Sequence, residues 1–256
     1  MCQNYCVVTI NKNYFRNVFE TPCYFCFKDT MSSLIIRQYK DSDFAAVRKI
    51  YFEGCQEHKY GTFRRSLRLP RNWLLMLLGF LLPLATIGSI FVAILDVVVV
   101  MVVFWLCGGK LVYGFVTEGL DGDLKDIPKY YLQREGSNFW VLESEGEVVG
   151  MVAAVPSYEP GGEKNTELKR MFVASSHRGK GLAKVLCRTV IEFARKNRSK
   201  AVILSTVTVQ TIPTSATYLY KSMGFRCTHT SYMTNFTERL LKLQWLYFRY
   251  DIPTKQ

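Results

Sequence analysis

Two adjoining stretches carry residue types whose spacing could do chemistry. Glu167-Leu168-Lys169-Arg170-Met171-Phe172-Val173 reads as a strand, and it runs out into the polar turn Ala174-Ser175-Ser176-His177. Arg178-Gly179-Lys180-Gly181-Leu182-Ala183 follows, where an amphipathic helix begins with Leu182, Val185, Leu186, Val190 and Ile191 on its apolar face. Glycines at 179 and 181 permit a sharp turn and leave backbone N–H groups unshielded. At a helix N-terminus such groups collect partial positive charge and bind anions. Arg178 and Lys180 add full charges, so the arrangement suits a pyrophosphate. It is not a Walker loop, because no Gly-Lys-Ser/Thr follows four residues after a first glycine. The Gly-x-Gly-x-x-Gly spacing of dinucleotide folds is absent as well.

The elements around the loop must position it. Residues 201–206 read as a buried strand. Ala216 to Phe225 reads as a short helix closed by a glycine cap at Gly224. Upstream, Leu34 to Asp43 opens with a strand, and Asp41 or Asp43 is placed to cap a helix over about residues 44–58. Residues 139–144, the turn Glu145-Gly146-Glu147 and residues 148–155 form a hairpin pattern. The order is strand, helices, hairpin, strand, loop, helix, strand, helix and two strands.

These segments resemble the GNAT superfamily of N-acetyltransferases. Arg178, Gly181 and Ala183 fill its Arg/Gln-x-x-Gly-x-Gly/Ala signature, and residues 216–225 are similar to its Ala-x-x-Leu-Tyr-x-x-x-Gly-Phe segment. The resemblance implies an α/β (α+β) class over about residues 33–253, with a mixed, mostly antiparallel central sheet flanked by helices. It also implies acetyl-CoA as co-substrate. Met171, Phe172, Val173, Arg178, Gly179, Lys180, Gly181, Leu182 and Ala183 are the expected cofactor-binding residues. A neutral amine would attack the acetyl carbonyl directly, and a backbone N–H near the end of the Met171 to Val173 strand would face the oxyanion. Tyr220 matches the tyrosine that protonates the departing thiolate in many GNAT enzymes; its alternative is to pack a helix end. Glu167 stands where several of them place a general base, and its alternative is a solvated strand edge. Pro213 stands where the superfamily often has Asn, which bears on how CoA is positioned locally. His177 reads as a turn residue rather than a base.

One interruption divides this pattern. From Asn72 to Gly109 the chain runs 38 residues with a single charge, Asp96. A membrane-spanning helix needs about 20 apolar residues, whereas one helix of this length would measure about 57 Å at 1.5 Å per residue. A hairpin of two helices turning near Pro83 to Ser89 fits better. A buried core helix is the soluble alternative, but it rarely stays apolar on all faces for so long. Both flanking parts must lie on one side of the membrane to build one domain. Arg64, Arg65, Arg68 and Arg71 before the hairpin and Lys110 after it place that side in the cytosol by the positive-inside rule.

A hairpin at this point is similar to the camello-like family, the N-acetyltransferase-8 group, whose members differ in acceptor. Cysteine S-conjugates, aspartate and protein lysines are all represented, so the resemblance fixes the donor better than the acceptor. The organisation expected is an extension over 1–32, the first strand and helix over 33–70, the hairpin over 71–109 and the rest of the domain over 110–256. The reading is a membrane-anchored N-acetyltransferase of the endoplasmic reticulum or another endomembrane, acting on a small amino-acid derivative and facing the cytosol. One alternative is a protein-lysine (including histone) acetyltransferase of the secretory pathway or perinuclear membrane, with Asn197 and Asn235 in glycosylation sequons. Another is a catalytically silent membrane interaction protein affecting cell adhesion. A homo-oligomer is compatible with each.

Composition agrees with that reading. The 256 residues are 49% hydrophobic, ample for one core plus the hairpin. Eight cysteines show no disulfide framework, and Cys23-x-x-Cys26 lacks a second pair at zinc spacing, so no metal is expected. No apolar stretch after a basic start marks a cleavable signal peptide. The net charge of +12 includes eleven Lys/Arg against three Glu between Glu163 and Lys200. CoA phosphates and an anionic membrane surface account for it; nucleic acid does not, as no interleaved aromatic platform is present.

Overall fold

The computed structural model describes residues 6–7, 34–158, 164–207, 215–232 and 243–253. The extension up to residue 32 (apart from Cys6–Val7), the Cys23/Cys26 pair, Pro213 and Asn235 lie outside the described residues. In chain order the elements are β1 (Cys6–Val7), β2 (Leu34–Gln38), α1 (Phe44–Arg68), α2 (Pro70–Ile87), α3 (Ile90–Leu120), β3 (Asn138–Ser144), β4 (Glu147–Tyr158), β5 (Lys164–Val173), α4 (Leu182–Lys196), β6 (Ala201–Val207), α5 (Ser215–Ser222), β7 (Arg226–Tyr232) and β8 (Gln244–Asp251). The sheet runs β1-β2-β3-β4-β5-β6-β8-β7, antiparallel throughout except for the β5–β6 pair. It is the mixed, mostly antiparallel sheet that the sequence implied.

Side-chain alternation along the central strands gives the sheet two apolar faces. Val152 and Ala154 point to one, where Leu186, Val190 and Ala194 of α4 cover them. Phe139, Val141, Met151 and Ala153 point to the other, under Val47 and Tyr51 of α1, Val112 and Val116 of α3, and Leu124, Ile127 and Tyr131. Nearly all of these side chains are fully buried. Each one of Val or Leu size contributes about 1.5–3 kcal/mol of transfer free energy.

The two apolar helices turn at Gly88, whose φ of 71° caps α2 in the left-handed conformation. Both are long and apolar enough to cross a membrane, with mean hydropathies of 1.4 and 3.0. Trp73, Leu82, Phe91 and Leu106 are among their exposed side chains. Their boundaries differ from the expected 71–109. α1 continues past His58 to Arg68, and α3 continues past Gly109 to Leu120. The extra turns exist because the two helices pack antiparallel on each other. Trp105 meets the rings of Tyr60 and Phe63 at 5.4 Å each, Gly108 lies against Thr62, and Gly119 lies against the Tyr51 ring. A Cβ at Gly119 would come within 2.4 Å of that ring, so only glycine permits the approach.

The expected helix cap is not made. Asp43 occupies the position before α1, but its carboxylate takes the Lys40 N–H at 2.9 Å and both Nη atoms of Arg37 at 2.6 and 2.8 Å. Arg37 Nε donates to Glu143 at 2.7 Å, tying β2 to β3. An ion pair this buried outcompetes a single capping bond. Burial alone would raise the Asp43 pKa; the Arg37 hydrogen bonds and the Lys40 N–H outweigh it, so the carboxyl titrates below its ordinary range. A depressed folded-state pKa means that its stabilisation is fully present above about pH 4 and fades as pH falls. Asp43→Asn should therefore cost roughly 3 kcal/mol and lower the melting temperature at pH 7. The acid-induced decline in melting temperature should be shallower in the variant, which a thermal melt series in detergent checks.

Candidate active site

β5 pairs with β4 along most of its length but with β6 at Thr166–Val202 and Glu167–Ile203 alone. Beyond Glu167 the two parallel strands part. In the same stretch β5 carries a bulge: Ala153 and Met151 on β4 are two residues apart, whereas their partners Lys169 and Phe172 are three apart. Arg170 takes up the extra residue with φ of 52°. A non-glycine residue there costs on the order of 1–3 kcal/mol and persists only where its surroundings fix it.

The Arg170 side chain supplies that fixation. Its Nε and Nη2 hold both oxygens of Asp123 at 2.9 and 2.6 Å, and Nη1 donates to the Tyr51 hydroxyl at 2.8 Å. Tyr131 donates its hydroxyl to the same carboxylate. Tyr51 in turn donates to the Phe115 carbonyl of α3 at 2.7 Å. Charge-assisted bonds of this kind are short and about twice as strong as neutral ones. The bulge is thereby pinned to α1, α3 and the segment after α3.

Where the strands part lies a cavity of about 440 Å³, within the range of about 300–1,000 Å³ usual for small-molecule sites. Glu167 and Met171 line it from β5, Leu204 and Thr206 from β6, and Tyr220 from α5. The Tyr220 ring packs against Phe225 and Phe248 at 5.7 Å. Burial, with Cys187 nearby, raises its pKa well above the ordinary phenol value, so the hydroxyl keeps its proton. Glu167 is partly exposed, and its carboxylate lies 3.8 Å from Lys169 Nζ.

β5 then delivers the chain into the glycine loop. After the 3₁₀ turn Ser175–His177, Gly179 and Gly181 each sit at φ of 78°, with open space where a Cβ would stand. The N–H groups of Gly179 to Ala183 find no backbone acceptor among the described residues; the first to donate into α4 is Lys184, to the Gly181 carbonyl at 3.0 Å. Arg178 anchors the loop through Nε to the Val173 carbonyl at 2.9 Å, and its Nη1 pairs with the Glu57 carboxylate of α1. Lys180 is exposed. The structure thus brings Arg178, Gly179, Lys180, Gly181 and the N–H groups of Leu182 and Ala183 to the end of the strand carrying Met171, Phe172 and Val173. The Leu182 side chain turns into the core, leaving only its backbone to face a ligand.

His177 stays in its turn, with Nδ1 2.9 Å from Ser176 Oγ, and does not line the cavity. Among the described residues no group of three His, Cys, Asp or Glu is placed to hold a metal. Sequence reasoning missed the α1 wall of the cavity, formed by Tyr51, Cys55, His58 and Thr62. Their spacing of i, i+4, i+7 and i+11 is the one signal that marks them as a single helix face.

Comparison with known proteins agrees with this geometry. Residues 114–225 match the Acetyltransferase (GNAT) family model. The chain is 40% identical to human N-acetyltransferase 8 over 227 residues, covering 88% of this chain and 98% of that protein. It is 38% identical to mouse N-acetyltransferase 8 over 227 residues with the same coverage. It is 40% identical to rat N-acetyltransferase 8F1 over 226 residues, 88% of this chain and all of the relative. Among solved structures, a Salmonella typhimurium protein described as an acetyltransferase and determined with acetyl-CoA superposes with a TM-score of 0.51 at 16% identity, over 87% of this chain and 95% of that one. A GNAT-family acetyltransferase of Staphylococcus aureus gives 0.50 at 15% identity, over 86% and 100%. At those identities the superpositions speak for the fold.

The loop geometry yields a direct test. Gly181 combines a left-handed φ with open space in front of its Cα, so Gly181→Val both strains the backbone and fills the approach. Acetyl-CoA affinity should fall roughly tenfold or more, equivalent to about 1.4 kcal/mol, while the backbone strain of about 1–3 kcal/mol lowers the melting temperature but leaves the exposed loop's domain folded. Calorimetric titration of acetyl-CoA into the detergent-solubilised protein measures it.

Proposed function

The chain belongs to the N-acetyltransferase 8 group of the GNAT acetyltransferases, and we propose that it is a membrane-anchored enzyme that acetylates the primary amine of a small amino-acid derivative such as a cysteine S-conjugate. The acetyl donor of a GNAT-type N-acetyltransferase is acetyl-CoA. The observation that carries the reading is one strand, β5, that passes from a cavity holding Glu167 and Tyr220 into a glycine loop with unshielded N–H groups.

The residues fit that donor. Arg178 and the N–H groups of Gly179 to Ala183 receive its pyrophosphate, Arg178 exchanging Glu57 for phosphate oxygens. Acetyl-CoA supplies an activated thioester; the chain supplies binding, orientation and proton management. The bulge at Arg170 frees backbone near Met171 to Val173, where an N–H donates to the carbonyl oxygen as charge develops on it. Glu167 accepts a proton from the attacking nitrogen, and Tyr220, kept protonated by burial, gives one to the departing thiolate.

Anchoring is supported by α2 and by α3 up to Leu106, where many apolar side chains, Leu82, Phe91 and Leu106 among them, have no cover among the described residues. Lipid is the medium that removes this cost. Arg64, Arg65, Arg68 and Arg71 favour a cytosolic catalytic domain on an endoplasmic reticulum or other endomembrane. The mostly apolar cavity walls contributed by α3 and β6, Leu111, Phe115 and Leu204, favour an acceptor with an apolar body over an acidic one.

Acetyl-CoA turnover by the detergent-solubilised protein should be faster with S-benzylcysteine than with aspartate or a lysine peptide; preference for the peptide would move the assignment to protein-lysine acetylation. Tyr220→Phe should lower turnover by roughly 10²-fold or more with acetyl-CoA binding nearly intact, and an unchanged rate with chemistry limiting would reduce Tyr220 to a packing residue. Tags at both ends should be reached after selective permeabilisation of the plasma membrane. A glycosidase-sensitive mass shift abolished by Asn235→Gln would instead place the domain in the lumen.

A further inference from the structure

The overall reaction releases a proton that Glu167 and Tyr220 alone do not account for. An acceptor amine reaches the site at neutral pH chiefly as an ammonium ion. Forming the amide removes two protons from that nitrogen. One replaces the proton that Tyr220 gives to the thiolate, and the other must leave to solvent. Before attack, something in the cavity has to turn the ammonium into a neutral amine.

His58 is the group placed for this. It lines the same cavity as Glu167 and Tyr220, from the α1 face that also carries Tyr51 and Cys55. Its Nδ1 is sealed from solvent and bonds to no described group, an uncommon state for a buried polar atom, since more than about nine in ten have a partner. Its backbone carbonyl is held by the Thr62 hydroxyl at 2.8 Å. No described group bonds to this ring nitrogen, although leaving such an atom unpaired costs on the order of 1–3 kcal/mol.

Building on the acetyl-transfer reading, we propose that His58 is the proton acceptor that neutralises the incoming ammonium group before attack. The N–H bond of the ammonium breaks, its electron pair stays on nitrogen as the nucleophile, and the proton passes to the lone-pair nitrogen of the neutral ring. The resulting imidazolium sits next to the Glu57 carboxylate and returns its proton to solvent. Glu167 then takes the second proton, from the nitrogen already bonded to the acetyl carbon. Tyr220 is left to the thiolate.

The charges around His58 suit the role. Burial holds its pKa below the usual imidazole range, Glu57 raises it, and Arg178 lowers it. In the free protein the ring is therefore neutral at pH 7 and ready to accept. Pyrophosphate on Arg178 would cancel the lowering influence and leave Glu57 unpaired, so loading the donor makes His58 more basic. Facing groups on the other walls are Glu118 of α3 and Lys169 and Arg170 of β5. Arg170 is neutralised by Asp123, and Lys169 stands 3.8 Å from Glu167.

The test is the pH profile of His58→Gln at saturating acetyl-CoA, with S-benzylcysteine as the acceptor. At pH 7 kcat/KM should fall roughly 10²-fold. The deficit should shrink as pH passes about 8, where α-amino groups lose their proton unaided. Added imidazole should restore part of the pH 7 rate to His58→Ala, and acetyl-CoA affinity and melting temperature of both variants should match the wild type. A deficit equal at every pH, or none at pH 7 with chemistry limiting, would overturn the role of His58 while leaving the function intact. A wild type inactive toward every amine would overturn the acetyl-transfer reading and this inference with it.

Discussion

The Asp123–Arg170 ion pair is the interaction on which the site depends. A left-handed arginine in the middle of a strand is unfavourable by itself, and the bidentate carboxylate together with the Tyr51 hydroxyl holds it there. The bulge it maintains lies where β5 leaves β6. That parting opens the cavity between the strands, and the same strand then feeds the glycine loop. The partners of Arg170 come from outside the sheet: Tyr51 from α1, and Asp123 from the segment that follows α3. The geometry of the proposed acetyl carbonyl contact is thus fixed by helices that the sheet does not order alone.

Much of this arrangement was legible in the sequence because local signals agreed with the tertiary structure. Arg178, Gly179 and Gly181 mark a strand-to-helix turn through glycine chemistry, and the structure gives both glycines the left-handed φ that requires it. Alternation along residues 139–144 and 148–155 marked the hairpin. What was not legible depends on contacts distant in the chain. α1 continues beyond His58 because Tyr60 and Phe63 find Trp105, and α3 continues through the poor helix formers Gly108 and Gly109 because it packs along α1, where Gly119 permits the close approach to Tyr51. The cap at Asp43 failed as a local inference because Arg37, itself held by Glu143, and the Lys40 N–H take up its carboxylate. The bulge at Arg170 left no mark, since nothing in Lys169-Arg170-Met171 distinguishes a residue of positive φ from a regular one. Tyr51, Cys55 and His58 were hidden for the same reason: a helix face lining a cavity reads like any other mixed face.

Arg178 illustrates how the proposed pyrophosphate loop is held in place by the chain itself. A guanidinium aimed at an empty anion site would swing freely, and ordering it on binding would cost side-chain entropy. Here Nε is already fixed to the Val173 carbonyl, and the Glu57 carboxylate occupies the outer nitrogen. The pair is half exposed, so its own stabilisation is small. A dianionic pyrophosphate has the charge to displace one carboxylate, and only the outer bond has to change.

The continuity of α3 sets how this protein can be divided. The helix starts among bare leucines and valines at Ile90 and ends as a wall of the cavity, with Leu111 and Phe115 in the lining and Gly119 against Tyr51. Excising the greasy hairpin at residues 71 and 109, as composition alone would suggest, severs this helix midway. It removes Trp105 and Gly108 from their contacts with α1 and leaves the last turns to hold the wall unaided. A water-soluble form is better sought by replacing outward-facing residues such as Leu82, Phe91 and Leu106 while the helix stays whole. The apolar hairpin and the cavity wall are two ends of one rod, and surgery on either is surgery on both.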